Sequence, residues 1–461
     1  MFPTATPSSV GVQGEGIVRF LDDMQERHLH LHKLMILRHG QLIAETSYAP
    51  WTNDKPHMLF SLTKSFTSTA VGFAVQDGLL KVTDHLVDFF PEYLPAEPCE
   101  NMKKITVKHL LTMNSGHLNE PPMRGENWER GFMQSYVQFE PGTHFMYNTC
   151  GTYMLACIVQ KVTGKKLLDY LREKLMDPLG MSKDVWFDES PTGVAQGGHG
   201  LAVGIEDIAK LGQFYLQHGK WEGKQLLNEQ WILDAQTPWS DNSHHTGTID
   251  WRSGYGYQFW KCSPDDIYRG DGANGQFCVI MPERDMVIAI NSGLDDMGRV
   301  LTSIWEYILP AVDAPCTAAG DEALKERLAK TITPSAWEED GIAVTEPEVE
   351  KCWLGSYQLQ ANNSFGIDSL EVAADSVKLY RGDKVEVWPL SYEKWAPAEN
   401  ADTAVRAARE GDELILHSCR VLTPFEDIMK LSFSEHGIEI LAYHNTSILK
   451  KPSEKIIGYR K

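Results

Sequence analysis

In Phe60-Ser61-Leu62-Thr63-Lys64-Ser65 a serine stands three residues ahead of a lysine. A serine hydroxyl attacks a carbonyl only once a base takes its proton. A lysine can be that base only when neutral, and burial in apolar surroundings lowers its pKa toward that state. The chain holds two other Ser-x-x-Lys pairs, Ser391 with Lys394 and Ser447 with Lys450. Both lie in stretches of period-two patterning, where residues i and i+3 point to opposite faces. Ser61 instead opens a segment, running to Gln76, whose one charge is Lys64 and which Gly78 follows. That pattern predicts a buried helix with a glycine stop. On a helix, i and i+3 share a face, with Cβ atoms about 5–6 Å apart. At the start of one, free N–H groups and the helix dipole favour developing negative charge. Taken alone, the pair also reads as a capping serine beside a solvated lysine.

Other residues of chemical interest are sparser. His28-x-His30-x-His32 could align three imidazoles on a strand and bind zinc, or could be a helix end or exposed segment without a site role. Gly197-Gly198-His199-Gly200-Leu201 reads as a turn lining a cleft, with His199 a candidate contact. The chain has no His-Glu-x-x-His, no Gly-x-Ser-x-Gly and no Gly-rich phosphate loop. Zincin, α/β-hydrolase and nucleotide-binding readings therefore lack support.

The elements that must position these residues follow from periodicity. Leu34–Leu37 and Leu42–Glu45 flank a Gly-containing turn and predict a hairpin. Gln276–Met281 and Met286–Ile290, joined at Pro282-Glu283-Arg284-Asp285, predict a second. Its strands are almost continuously apolar, so their sheet should be covered on both faces. Helices are expected at 16–27, 61–76, 107–113, 152–162, 167–175, 205–217, 229–234 and 296–309. Strands at both ends with helices between imply that the two hairpins share one sheet. The expected fold is α+β, an antiparallel sheet flanked by helices with a helical lobe, over about residues 10–312. Residues 313–350 read as a linker with one charged helix, Asp321–Lys330, before the acidic stretch around Glu338, Glu339 and Asp340. Residues 351–461 read as an antiparallel β domain, a sandwich or barrel, of short strands such as Val377–Tyr380 and Ile438–Leu441. This patterning leaves open whether that domain caps a cleft, mediates dimerisation or supports the fold.

The charge balance narrows the partners. Lys plus Arg number 43 against 63 Asp plus Glu, a formal charge of −20 with no basic block. A nucleic-acid partner is not expected, because such binding neutralises phosphates with basic residues, and anionic membranes are disfavoured likewise. Eight cysteines without a Cys-x-x-Cys are too few for a disulfide scaffold and suit a reducing compartment. The N-terminal residues have no basic and apolar regions of a secretory signal, and no stretch approaches the roughly 18 apolar residues of a membrane span. The expectation is a cytoplasmic protein.

Three further segments carry a family resemblance. Ile105-Thr106-Val107-Lys108-His109-Leu110-Leu111-Thr112-Met113-Asn114-Ser115-Gly116-His117 closely resembles the helix-and-turn signature of the serine β-lactamase-like family. That family includes class C β-lactamases, penicillin-binding proteins and related esterases and amide hydrolases. Glu140-Pro141-Gly142-Thr143-His144-Phe145-Met146-Tyr147-Asn148-Thr149 resembles its second catalytic motif, a tyrosine after a Pro-Gly turn. Asp271-Gly272-Ala273-Asn274-Gly275-Gln276 stands where the family has its third. The resemblance covers about residues 15–310. It implies that Ser61 is the acylated nucleophile and that Lys64 takes its proton. Tyr147 would relay protons to the leaving group and later activate water, its phenolate stabilised by protonated Lys64. The backbone N–H groups of Ser61 and Ala273 would form the oxyanion hole.

The departures concern recognition. Thr149 stands where lactamases usually carry Asn, and Gly270-Asp271-Gly272 where they carry Lys-Thr-Gly. The lost lysine normally holds a drug carboxylate. Arg269 could replace it unless it points to the far face of the sheet. Arg269, Asp271, Gly272, Thr149 and His199 are the candidate substrate contacts. These forms look more like the esterase and 6-aminohexanoate-dimer-hydrolase branch. The implied function is a serine hydrolase of a small ester, amide or peptide, acting by a covalent acyl-enzyme without metal or cofactor. The alternatives are a β-lactamase or penicillin-binding D-Ala-D-Ala peptidase, and a non-catalytic binding protein that keeps the fold.

Overall fold

A computed structural model describes residues 1–330, 343–399, 402–447 and 453–461. The helix α1 (Gly14–Glu26) leads into the hairpin β1 (Leu31–Arg38) and β2 (Gln41–Ser47). The buried helix is α2 (Thr63–Gln76), and α3 (Val107–Leu111), α4 (Thr149–Thr163) and α5 (Ile205–Leu216) follow. The chain then returns to the sheet as β3 (Trp260–Lys261), β4 (Tyr268–Gly272), β5 (Gln276–Met281) and β6 (Met286–Ser292). The order β2-β1-β6-β5-β4-β3 joins the two expected hairpins, antiparallel throughout, with Leu34 opposite Ile290 and Ile36 opposite Ile288.

Alternation along these strands feeds two cores. Leu34, Ile36, Val279 and Ile288 face α1 and the helix α6 (Gly298–Ser303), packing with Phe20, Leu21 and Val300. Met35, Leu37, Ile280 and Val287 face α2, α4 and α5, packing with Phe66, Ile158, Leu211 and Phe214. Helix α5 lies so close to the sheet that a Cβ on Gly212 would come within 2.5 Å of Val287. Two-sided burial is why these strands lack polar alternation.

In the stretch expected as a linker, residues 331–342 lie outside the described residues. Ahead of them, α7 (Ala318–Leu328) is docked on α1. Leu324 joins the core, and Arg327 binds Asp22 at 2.6 Å and the Leu21 carbonyl at 3.0 Å.

Beyond it, ten antiparallel strands run from Gly355–Leu359 to Ser453–Arg460 in one sheet, closing nearly into a barrel rather than a sandwich. Tyr357, Leu379, Leu416 and Ile440 fill its core. The turn after its strand Glu413–Arg420 reaches the front of the first sheet. There the Leu422 carbonyl accepts from Met58 N–H at 2.8 Å and Thr423 from Trp51 Nε1 at 3.2 Å. Among the described residues, no helix is long and apolar enough to cross a membrane.

Candidate active site

Ser61 does not open the α-helix. It sits in a tight turn, Phe60–Leu62, and α2 begins at Thr63. Phe60 takes a left-handed φ of 47°, unusual for a bulky residue, and so reverses the chain sharply ahead of the nucleophile. The turn is pinned from two sides. Leu59 N–H donates to the Leu201 carbonyl at 2.9 Å, and Leu201 N–H donates to Thr63 Oγ1 at 3.1 Å. On the other side, a Cβ on Gly272 would lie 1.9 Å from the Leu59 carbonyl oxygen. Only glycine lets the third-motif strand approach that closely. Ala273, half-buried, follows directly after Gly272, the last residue of β4.

Lys64 is 1% exposed, and its Nζ lies 2.9 Å from Ser61 Oγ, 3.2 Å from Thr149 Oγ1 and 2.8 Å from the Gly198 carbonyl. A neutral amine has two N–H donors and one lone pair. The Gly198 carbonyl can only accept, and Thr149 Oγ1 can take the second N–H. The lone pair then faces Ser61, whose hydroxyl, like that of Thr149, can donate. Burial pushes Lys64 down to about 7, against an upward pull from Glu120 and Asp271. The expected Ser–Lys pair is thus formed with its base close to neutrality.

Tyr147 lies beside Lys64. Its ring lies 4.8 Å from Lys64 Nζ and stacks on Trp260 at 5.2 Å, with Tyr255 edge-on at 6.1 Å. Burial in this aromatic box, reinforced by the Asp271 charge, raises the phenol well above its ordinary value. A hydrogen bond with Ser61 opposes the shift only in part. A phenolate stabilised by Lys64 is therefore not the resting state. Tyr147 rests as a protonated phenol.

The signature at 105–117 acts as a buttress. Its turn places Met113 at φ 57° and Gly116 at φ 88°, and the Met113 carbonyl accepts from Met146 N–H at 2.9 Å. The Asn114 carbonyl accepts from Gly142 N–H and the Gly116 carbonyl from Phe139 N–H, each at 2.8 Å. Asn148, which caps α4 through Gly151 N–H, donates back to Ser115 Oγ at 3.3 Å. This turn holds the Tyr147 loop in place.

Arg269 does not serve as a substrate cation. It is fully buried, its guanidinium bonding Asp271 at 2.8 and 3.0 Å and the Asp250 carbonyl at 2.9 Å, under Trp251 at 4.6 Å. Residues 270 and 272 face the nucleophile turn and α2. Residues 269 and 271 alternate onto the other face of the strand. Asp271 is 6% exposed and committed to Arg269, which removes it too as a direct contact. Thr149 meets Lys64 as noted. His199 is half-buried beside Gly198, and burial together with the Lys64 charge lowers it to about 4, so it is neutral.

Two features escaped the sequence reading. The Gly198 carbonyl is a Lys64 partner, and a Cβ there would meet Thr149 Cγ2 at 2.5 Å. Its glycines had marked only a turn. Glu120 accepts from Cys150 N–H at 2.9 Å, at the α4 N-terminus, and its charge acts on both Lys64 and Tyr147. A carboxylate three residues past the signature and just before Pro121-Pro122 was the available signal. Ser391 and Lys394 form no such site. Ser391 Oγ donates to the Lys394 carbonyl at 2.5 Å, and Lys450 lies outside the described residues. His28, His30 and His32 do not gather as a ligand set, since the strand begins only at Leu31 and His28 and His30 take left-handed φ.

Comparison with known proteins bears on the family and the fold. The family model described as Beta-lactamase matches residues 20–312. The 6-aminohexanoate-dimer hydrolase of Paenarthrobacter ureafaciens is 22% identical over 63% of this chain and 80% of its own. A family VIII carboxylesterase structure superposes with a TM-score of 0.56 at 16% identity, over 68% of this chain and 99% of its own. The octameric penicillin-binding protein homologue from Pyrococcus abyssi matches with a TM-score of 0.53 at 18% identity, over 96% of this chain and 99% of its own. The last alignment takes in the barrel as well as the first sheet.

Proposed function

The chain belongs to the beta-lactamase family, and from that premise we propose that it is a serine hydrolase cleaving a small ester or amide through an acyl-enzyme on Ser61. The observation that carries this reading is the 2.9 Å contact between Ser61 Oγ and a buried lysine held near neutrality. Lys64 takes the hydroxyl proton as Ser61 Oγ bonds to the substrate carbonyl carbon. The oxyanion so formed accepts from the N–H groups of Ser61 and Ala273. Tyr147, a protonated phenol against Ser61, passes a proton to the leaving oxygen or nitrogen as its bond to carbon breaks, and the proton held on Lys64 restores the balance. Water then attacks the Ser61 ester, releases the acid and returns the hydroxyl proton. No step needs a metal or cofactor.

Recognition points away from anionic substrates. The third motif has no lysine, and Arg269 is sealed by Asp271. Glu120 adds negative charge nearby. A charge-assisted hydrogen bond to a carboxylate is worth roughly 1.5–3 kcal/mol. Its absence should cost an anionic lactam about one to two powers of ten in kcat/KM.

A fluorophosphonate probe should label Ser61 and nothing else in the chain, and Ser61→Ala should abolish labelling and turnover. Labelling that survives the substitution would sink the assignment, and a wild-type protein inert to every ester, amide, D-amino-acid derivative and lactam offered would favour a binding protein. On one preparation, p-nitrophenyl acetate or butyrate should exceed nitrocefin and penicillin G in kcat/KM. Faster lactam turnover would make the lactamase alternative the better reading.

A further inference from the structure

The barrel's strand Glu413–Arg420 pairs with its strand Glu426–Phe433, so that Cys419 lies opposite Glu426 and His417 stands two residues along on the same face. All three side chains are buried, at 2%, 0% and 3% exposure for His417, Cys419 and Glu426. His417 Nε2 is 3.0 Å from Glu426 Oε2, and Cys419 Sγ is 3.9 Å from His417 Nε2. One donor atom from each falls within 4.8 Å of the others, the only such convergent group among the described residues.

The seam with the first sheet brings further imidazoles to the same carboxylate. Glu426 turns its other oxygen, Oε1, toward β1 and the residues ahead of it, 3.3 Å from His30 Nδ1 and 3.4 Å from His32 Nε2. His32 is wholly buried and stacked on Trp51 at 3.5 Å. Glu426 is thus shared between the barrel strand and the residues of and just before β1.

We infer that His417, Cys419 and Glu426 form a zinc-class metal site in this seam, remote in role from the Ser61 chemistry. Nitrogen, sulfur and oxygen donors from imidazole, thiolate and carboxylate are the set that zinc takes. Tetrahedral zinc spaces a nitrogen and an oxygen donor about 3.4 Å apart, and a sulfur and a nitrogen donor about 3.6 Å apart. Against the present 3.0 and 3.9 Å, loading would open the first pair and close the second by a few tenths of an ångström, and the sulfur and carboxylate oxygen start within 4.8 Å of each other. A carboxylate and a thiolate also neutralise a divalent cation in a place too buried for net charge. Binding releases the Cys419 proton to solvent. His32, reaching the second carboxylate oxygen, is a positioning residue that ties the metal to β1.

The test uses the full-length chain, stripped by a strong chelator and dialysed. Added Co²⁺ should give a near-ultraviolet thiolate charge-transfer band that saturates at one equivalent and disappears on adding Zn²⁺. Cys419→Ser should remove the band, His32→Ala should weaken binding about 10–100-fold, and His28→Ala should leave both unchanged. Absence of the band from the wild type, or its survival in Cys419→Ser, would overturn the site. If Cys419→Ser does not fold, Glu426→Gln takes its place, and unchanged Co²⁺ affinity in that variant would overturn it equally. Ser61 labelling by the fluorophosphonate probe needs no metal, so its loss or survival reports on the hydrolase reading separately.

Discussion

At Lys64 one side chain has to be both buried and basic, and the two demands set the pH response. Burial holds the amine near 7, against an ordinary 10.5. The free amine is the working form, so kcat/KM should be on a plateau above that value and fall about tenfold per unit as pH drops below it. The expected acid limb has an apparent pKa near 7 in ester hydrolysis measured from pH 5 to 10. A limb near 10 would mean that Lys64 is not the base. Lys64→Arg, which cannot deprotonate, should lose at least about 10²-fold. Tyr147 makes the complementary case. Its shift is upward, so the phenol remains protonated across the whole working range. Tyr147→Phe removes the proton but keeps the stack on Trp260, and should lower kcat by about 10²–10⁴-fold with an unchanged circular dichroism spectrum. A loss below tenfold would show that protons reach the leaving group by another route.

Between elements the site depends on backbone approach more than on side-chain bonds. β4 meets the nucleophile turn at Gly272, where a methyl group would overlap the Leu59 carbonyl oxygen at 1.9 Å. Gly272→Ala must push the strand and the turn apart, which separates the two N–H groups proposed as the oxyanion hole. A displacement of about 1 Å can cost 10²-fold in rate, and that is the loss expected in kcat. Gly212→Ala, on α5 packed against the same sheet, is the matching control, since its clash is with Val287 at 2.5 Å, far from the chemistry in role. It should lower unfolding free energy by about 1–3 kcal/mol in urea titration, while activity per active site, counted by fluorophosphonate titration, stays within twofold. Equal losses of rate in both variants would mean that the sheet as a whole, and not the Gly272 approach, governs the site.

Across the whole molecule the barrel and the first sheet share a seam that reaches the residue before the nucleophile. Phe425 meets Phe60 edge-on at 6.0 Å, the Asn445 amide donates to the Gly293 carbonyl at 2.9 Å, and Trp51 spans the gap from His32 to Thr423. Trp51 is 1% exposed, so Trp51→Ala removes both packing and the bond across the seam. The expected cost is about 3–5 kcal/mol. Calorimetry should then resolve the cooperative transition of the wild type into two, one for each part. A single transition that merely moves down in temperature would show that the other seam contacts suffice to couple them.

The Ser61–Lys64 pair, the shared sheet and the barrel's strands were legible in the sequence because each depends on local spacing. A three-residue offset, a hairpin turn or a period of two is written along the chain and survives whatever packs against it. The buttressing signature and the Tyr147 loop were recognisable as motifs for the same reason. What only the tertiary structure decided involves partners far apart in sequence. Ser61 sits in a turn rather than on α2 because Leu201 and Gly272, from two distant segments, clamp its backbone. Arg269 is lost to recognition because Asp250, Trp251 and Asp271 enclose it. Lys64 owes its lowered pKa to depth, which outweighs the charges of Glu120 and Asp271, and Tyr147 owes its raised one to depth and those same charges. Glu426 gathers histidines from both ends of the chain. Desolvation and Coulomb energies depend on three-dimensional distance and burial, and sequence separation carries neither.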